Sequence, residues 1–506
     1  MKRWVGILAI LTFVGLLYAR IPNTYFCGYD DFNENNRAAF EEKKEPLRLL
    51  TATHFNSYKY RPLSHTLHYA TYWLGNGNPM LFRIRNVGCH LLNVLLIYGI
   101  GMLLLDDKLT SSAGALLFGV HPLANQPIVA ASFTIPAAHL AFLFALFAFL
   151  YSLKKSPGNL VWLGLGLISA WLSLLTYESS ISVFALMFGY LILRFLILRE
   201  RNVNRSYLIV LTMGSLLLIG SYFGLRRLFV TVAAKQAVPS LKTLVTSSAM
   251  YTGALLSPID SVLANSWLGT PLPSELNLHG ITMAWRVGLV GLGLVSVVLL
   301  VFVVRTLRRK LDRPLLTVQL FLFSAVVLSV LPLIVFTPKP SETYIYLSVA
   351  FGALLFSSIL GVLFDSRNPL ERRIFTVIVV LLTVSFSCAT WVRNGRVANC
   401  GVTAERIISQ LKEDRLKQGT WNVWLAAAPG EPRGQRYGIY GCRGIDTIGE
   451  PGMESALRVT NGNEMLTARV TDAALIYSAC EGPNALCLVV HDDGRVDELN
   501  KSSPVK

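Results

Sequence analysis

The sequence predicts a mainly α-helical, polytopic membrane bundle of about eleven spans with a small C-terminal α/β or β-rich domain. Three observations carry that prediction. Only 15% of residues are charged and 53% are hydrophobic, with a mean hydropathy of +0.49, whereas soluble domains carry about 25% charged residues. Apolar runs of roughly 18 to 24 residues recur, each long enough to cross a bilayer core of about 30 Å as a helix. Beyond residue 392 the long runs give way to short β-like segments broken by Gly and Pro.

The first run, WVGILAILTFVGLLYA, follows Met1-Lys2-Arg3. A basic start also fits a cleaved signal peptide, but no small-x-small site precedes IPNTYFC, so the run reads as an uncleaved span. Spans are expected near 4–19, 84–105, 110–125, 135–152, 159–176, 180–198, 206–225, 281–304, 315–336, 343–363 and 374–391. The third is short, and His121-Pro122 breaks its outer end. Residues 240–258 would add a crossing only by putting RTLRRKLDR on the same side as the acidic loops. They read instead as a re-entrant or interface helix.

The net charge of +16 suggests nucleic acid until it is placed on this topology. Lys2-Arg3, Lys154-Lys155, Arg199-Arg201-Arg205, Arg305 to Arg313 and Arg367-Arg372-Arg373 each lie between two apolar runs, on alternate loops. That is the positive-inside pattern; it puts the N-terminus in the cytoplasm and the C-terminal domain outside, and leaves no basic face for nucleic acid. The expected organisation is a membrane domain over 1–391, with a first extracytoplasmic loop at 20–83, and an extracytoplasmic domain over 392–506. Within the loop, NNRAAFEEKKEPLRLLTATHF fits a helix lying along the membrane surface. The last domain opens with a helical run, ERIISQLKEDRLKQ, followed by WNVWLAAA, RYGIYG, ALIYSA and ALCLVVHDD. Its cysteines lie where disulfides persist, and Cys442 has Cys480 and Cys487 as possible partners.

Residues able to carry chemistry collect at the outer membrane edges. Asp30 and Asp31, in YFCGYDDFNEN, are either a solvated loop tip or carboxylates that accept a proton or hold a divalent cation. Glu178, in LLTYESSISVF, has almost no loop around it; it either starts a helix or needs a partner that offsets its desolvation. Arg61 and His65 share YRPLSHT, where a guanidinium suits a phosphate but also serves as an interface anchor. His121 reads as a satisfied polar group or a ligand, while Lys339, Glu342, Tyr344 and Tyr346 mark another polar, aromatic edge. A single site on one face could draw on all of them, as a membrane enzyme acting on a lipid-linked substrate would require.

Taken in order, FCGYDDFNEN, YRPLSHTLHYATYWLG, HLLNVLLIY, LLFGVHPLANQPIVA, LLTYESSISVFAL and ETYIYLSVAFGALL resemble the membrane part of the transmembrane and tetratricopeptide-repeat O-mannosyltransferases, within the GT-C glycosyltransferases. The resemblance covers roughly residues 1–410, and the repeats are absent. It implies inverting transfer of a sugar from a polyprenyl-phosphate donor to a glycan, lipid or protein acceptor, in a bacterial inner membrane with the site facing the periplasm. It also implies catalytic acids at Asp31, Asp30 and Glu178, with Asp31 the better aligned of the pair. Arg61, His121, Glu342, Tyr344 and Tyr346 would bind substrate, with His65 and Lys339 beside them in the same motifs; were Mg2+ or Mn2+ required, Asp30, Asp31 and Glu178 would be the residues to hold it. Asn125-Gln126 replaces the family's Thr-Glu, Thr176-Tyr177 its Ser-Lys, and Thr343 an arginine, so part of the expected phosphate and metal surface is missing. A flippase for a lipid-linked glycan and a catalytically degenerate scaffold are the competing readings.

Overall fold

In a computed structural model, the described residues are 2–41, 53–54, 59–154, 158–199, 204–230, 247–248, 251–252, 254–255, 313–336, 341–364, 368–428, 448, 450–471, 475–476, 480 and 484–499. Lys339, the expected span at 281–304 and most of 240–258 lie outside them.

Helix α1 (Lys2–Leu17) enters the bundle and is followed by the short α2 (Tyr29–Asn36). A two-residue hairpin, β1 (Thr53–His54) with β2 (Lys59–Tyr60), precedes α3 (Pro62–Leu74). Then come α4 (Pro79–Leu105), α5 (Lys108–Val120), α6 (Asn125–Val129), α7 (Ile135–Lys154), α8 (Leu160–Thr176), α9 (Ser182–Leu193) and α10 (Arg205–Phe229). The described part of the bundle closes with α11 (Arg313–Phe336), α12 (Tyr346–Leu363) and α13 (Pro369–Gln410).

Seven of these stretches are long and apolar enough to cross a membrane among the described residues, and Val5–Leu17 and Leu160–Thr176 are shorter apolar helices. The expected crossing at 110–125 is the 13-residue α5, because Pro122 cannot continue the helix and starts a 3-10 turn, Pro122–Ala124. Helices meet through small residues: Gly101 faces Ser111 and Leu354, and Gly114 faces the Leu354 backbone. Successive helices run back and forth. Their turns near residues 18–28, 121–134, 177–181 and 341–345 gather at one end, while Lys154, Arg199, Arg205, Arg313 and Arg372 mark the other.

The largest departure from expectation is α13. The span expected to stop at residue 391 and the helix expected to begin at Glu405 form one 42-residue helix. No proline interrupts residues 392–404, and Gly401 lets the helix lie against the first outer segment.

Beyond α13 lies a four-stranded sheet built from β3 (Asn422–Ala427), β4 (Thr467–Val470), β5 (Ala485–Val490) and β6 (Val496–Glu498), in the order β4-β3-β5-β6. β3 is parallel to both β4 and β5, and β6 is antiparallel on the edge. The near-continuous apolar runs of β3 and β5 follow from central placement in a parallel sheet. Helix α14 (Glu450–Asn461) precedes β4 and packs on α2, where Ser455 donates to Asn33 at 2.6 Å. RYGIYG and most of ALIYSA lie outside the described residues, as does Cys442. Cys480 and Cys487 pair with each other, not with Cys442.

A Cβ at Gly401 would stand 2.9 Å from the Tyr25 nitrogen and 3.1 Å from its oxygen, both backbone atoms. Gly401→Ala is therefore expected to lower stability by about 1–3 kcal/mol through overpacking, read as a fall in the detergent-solubilised unfolding temperature.

Candidate functional site

The segment after α1 is shaped by Gly28, whose φ of 90° is strained for any L side chain and turns the chain into α2. Asp30 and Asp31 occupy the first turn of that helix, where negative charge suits the helix dipole. They then part company. Asp31 is 2% exposed and accepts from the amides of Ser132 at 2.7 Å and Cys27 at 3.2 Å. Asp30 is half-buried. Burial raises the Asp31 pKa above its ordinary value, against the opposing pull of Arg83 and the two amides.

Arg83 is fully buried and holds the backbone around Asp31. Its guanidinium donates to the carbonyls of Thr24 at 2.9 Å and Tyr25 at 2.7 Å, and also to that of Val129. Arg85 continues the pattern, donating to Ala131 and Phe133 oxygens at 3.0 Å each. The loop at 129–134 is thus clamped between α4 and α2. On its far side Thr134 and Ser64 hydroxyls lie 2.6 Å apart, which ties the loop to α3.

Arg61 caps the start of α3, with Pro62 at the first helical position. Its Nε and Nη2 donate to the two Glu178 oxygens at 2.5 and 2.7 Å, a bidentate fork, and its guanidinium lies 4.2 Å over the Tyr177 ring. The Arg61 side chain is 11% exposed and the Glu178 side chain 37%. Burial disfavours the Arg61 charge, but Glu178 outweighs it and lifts the pKa above its ordinary value. Half-buried Tyr344 packs with Phe133 and Tyr177 beside this pair.

The other sequence candidates are taken up by the fold. Glu342 is fully buried and accepts from Arg393 at 2.9 and 3.4 Å; Arg393 also donates to the Pro122 carbonyl at 2.5 Å. His121 accepts from the Leu123 amide at 3.2 Å and caps the 3-10 turn after α5. Tyr346 is a core residue, its hydroxyl 2.6 Å from His90 Nδ1 and its ring stacked on His139. His65 is buried with Nδ1 3.8 Å from Glu34, yet burial, with Arg37 and Arg61, pushes its pKa down to about 3. The ring is therefore neutral at pH 7 and this approach is not an ion pair.

The structure thus groups Arg61, Glu178 and Tyr344 on one side of the 129–134 loop and Asp30–Asp31 on the other. Among the described residues no three His, Cys, Asp or Glu side chains could hold a metal ion. Sequence reasoning missed Arg83, Arg393, Glu34 and Tyr177. Arg83 did carry a signal: a charge at the mouth of an apolar run demands a partner.

No family model and no curated protein matches the chain. Solved structures do. The oligosaccharyltransferase of Archaeoglobus fulgidus in its apo form aligns at 12% identity and TM-score 0.50, over 84% of this chain and 62% of its own length. The archaeal oligosaccharyltransferase AglB from the same organism, in complex with an inhibitory peptide and a dolichol-phosphate, aligns at 11% and 0.53, over 96% and 69%. ArnT from Cupriavidus metallidurans, bound to undecaprenyl phosphate, aligns at 13% and 0.50, over 96% and 92%. This chain therefore spans less than two thirds of the apo oligosaccharyltransferase. The chain shares the fold of these solved structures.

A buried His whose pKa falls from 6.5 to about 3 supports the fold fully above pH 6.5. As pH drops, the unfolded chain takes up a proton that the folded chain refuses, so stability is lost. The unfolding temperature should fall from pH 6.5 downward, and His65→Gln should flatten that slope; an identical profile in the variant would remove His65 as its source.

Proposed function

We propose that the chain is a membrane glycosyltransferase that moves a sugar from a polyprenyl-phosphate-linked donor to an acceptor hydroxyl on the extracytoplasmic face. One observation carries this reading within the GT-C fold: the paired acids differ in burial. Asp31 has both oxygens engaged by backbone amides and is buried, whereas Asp30 beside it is half-buried. The assignment made from sequence, with Asp31 as the base, is therefore exchanged for Asp30, and Asp31 becomes the positioning residue.

Asp30 takes the proton from the acceptor hydroxyl as its oxygen attacks the anomeric carbon. The anomeric carbon–oxygen bond to phosphate breaks, and its electron pair leaves with the polyprenyl phosphate. Arg61 and Glu178, across the 129–134 loop, contact the donor. Lipid phosphates named with two of the structural neighbours, dolichol-phosphate and undecaprenyl phosphate, support the donor class. The basic helix ends opposite the site support an extracytoplasmic orientation in a bacterial inner membrane. Glu342 and Tyr346 act through packing, holding α13 and the bundle core rather than substrate.

Removal of a general base costs roughly 10²- to 10⁴-fold in rate. Mass spectrometry of surface glycans and lipid-linked sugars, with and without the gene, identifies the donor and product. In a transfer assay with that donor, Asp30→Asn should lose activity by that factor while keeping the wild-type unfolding temperature. Asp31→Asn should lose stability as well. Wild-type turnover in Asp30→Asn would sink the assignment.

A further inference from the structure

The Arg61–Glu178 fork sits among tyrosines. Tyr177 lies beneath the guanidinium, and Tyr344 and Tyr222 are within electrostatic reach of Arg61. Tyr251 approaches Tyr177 and Tyr344, and the Tyr60 ring lies 5.9 Å from that of Tyr222. These residues come from the hairpin, the α8–α9 turn, α10 and the segment before α12, so the cluster is assembled from distant parts of the chain.

Two of the hydroxyls serve the fold: Tyr222 donates to the Tyr60 carbonyl at 3.3 Å, and Tyr251 accepts from the Ser341 amide at 3.4 Å. The Tyr177 hydroxyl is different. It is buried on a residue only 3% exposed and has no hydrogen-bond partner among the described residues. A buried hydroxyl left without a partner is destabilising, so its presence beside an ion pair points to a ligand.

The charge of the fork decides which ligand. Arg61 and Glu178 neutralise each other, and Glu178 is the more exposed of the two. A phosphate approaching Arg61 would meet the Glu178 carboxylate in surroundings of low dielectric, where like charges repel strongly. A sugar ring meets no such obstacle. Adjacent hydroxyls of a sugar can donate to a carboxylate oxygen and accept from the Tyr177 hydroxyl. Tyrosine faces then cover the apolar face of the ring.

We infer that Arg61, Glu178, Tyr177 and Tyr344 form the subsite for an uncharged sugar ring with adjacent hydroxyls, not the subsite for the donor phosphate. The inference rests on the glycosyltransferase reading and deepens it.

Its test uses the full chain in nanodiscs, with two probes. Saturation-transfer NMR reads binding of neutral methyl hexopyranosides, and thermal stabilisation reads binding of undecaprenyl phosphate. Tyr177→Phe, which removes only the hydroxyl, should weaken the best glycoside by about tenfold and leave the lipid phosphate unchanged. The charge-swapped pair Arg61→Glu with Glu178→Arg keeps the ion pair and should likewise spare the lipid phosphate. Loss of lipid-phosphate binding in the swapped pair, with glycoside binding intact, overturns the sugar subsite and leaves the transferase reading standing. Failure of folded wild-type protein to bind either probe overturns both.

Discussion

Burying the Arg83 guanidinium is the constraint on which this end of the bundle depends. Removing such a charge from water costs several kcal/mol unless every donor finds an acceptor and an opposite charge stands nearby. Three backbone carbonyls, from Thr24, Tyr25 and Val129, supply the acceptors, and Asp31 supplies the charge. Because those carbonyls belong to two separate segments, satisfying one side chain fixes both to the start of α4. Asp31 then repeats the operation in reverse, accepting one amide from each segment. The placement of Asp30 in the first turn of α2 is inherited from this lattice.

A second buried pair governs the other half of the face. Arg393 joins Glu342 to the Pro122 carbonyl where α13 leaves the bundle. Nearby, Asn394 donates to the Leu17 carbonyl and accepts from Asn125, and Thr390 donates to the Val120 carbonyl. The helix is thereby gripped by α1, by the end of α5 and by the segment before α12, then continues outward to the sheet. Membrane bundle and sheet share a rigid element, and the boundary drawn at residue 391 falls inside it.

Much of this was legible in the sequence, for identifiable reasons. Spans could be read because a bilayer imposes length and apolarity on every segment that crosses it. Asp30, Asp31, Arg61 and Glu178 stood out because polar residues at a membrane edge are few. Their division into buried and half-buried residues was not legible. It depends on partners far away in the chain: 117 residues separate Arg61 from Glu178, 101 separate Asp31 from Ser132, and 51 separate Glu342 from Arg393. No local pattern records such pairings. The strands β3 and β5 were visible as apolar runs, but their parallel pairing was not, since strand periodicity is silent about neighbours. Short β4 and the α14 contact with α2 left no comparable trace.

That contact bears on when the protein becomes complete. Asn33 lies one helical turn beyond Asp30, and its hydrogen-bond partner Ser455 is 422 residues further along the chain. A ribosome adds about 5–20 residues per second, so the first outer segment waits tens of seconds for the surface that supports it. The Asp30 carboxylate is among the earliest groups to be made, and the helix that supports its segment is among the latest. Order of synthesis thus opposes order of assembly.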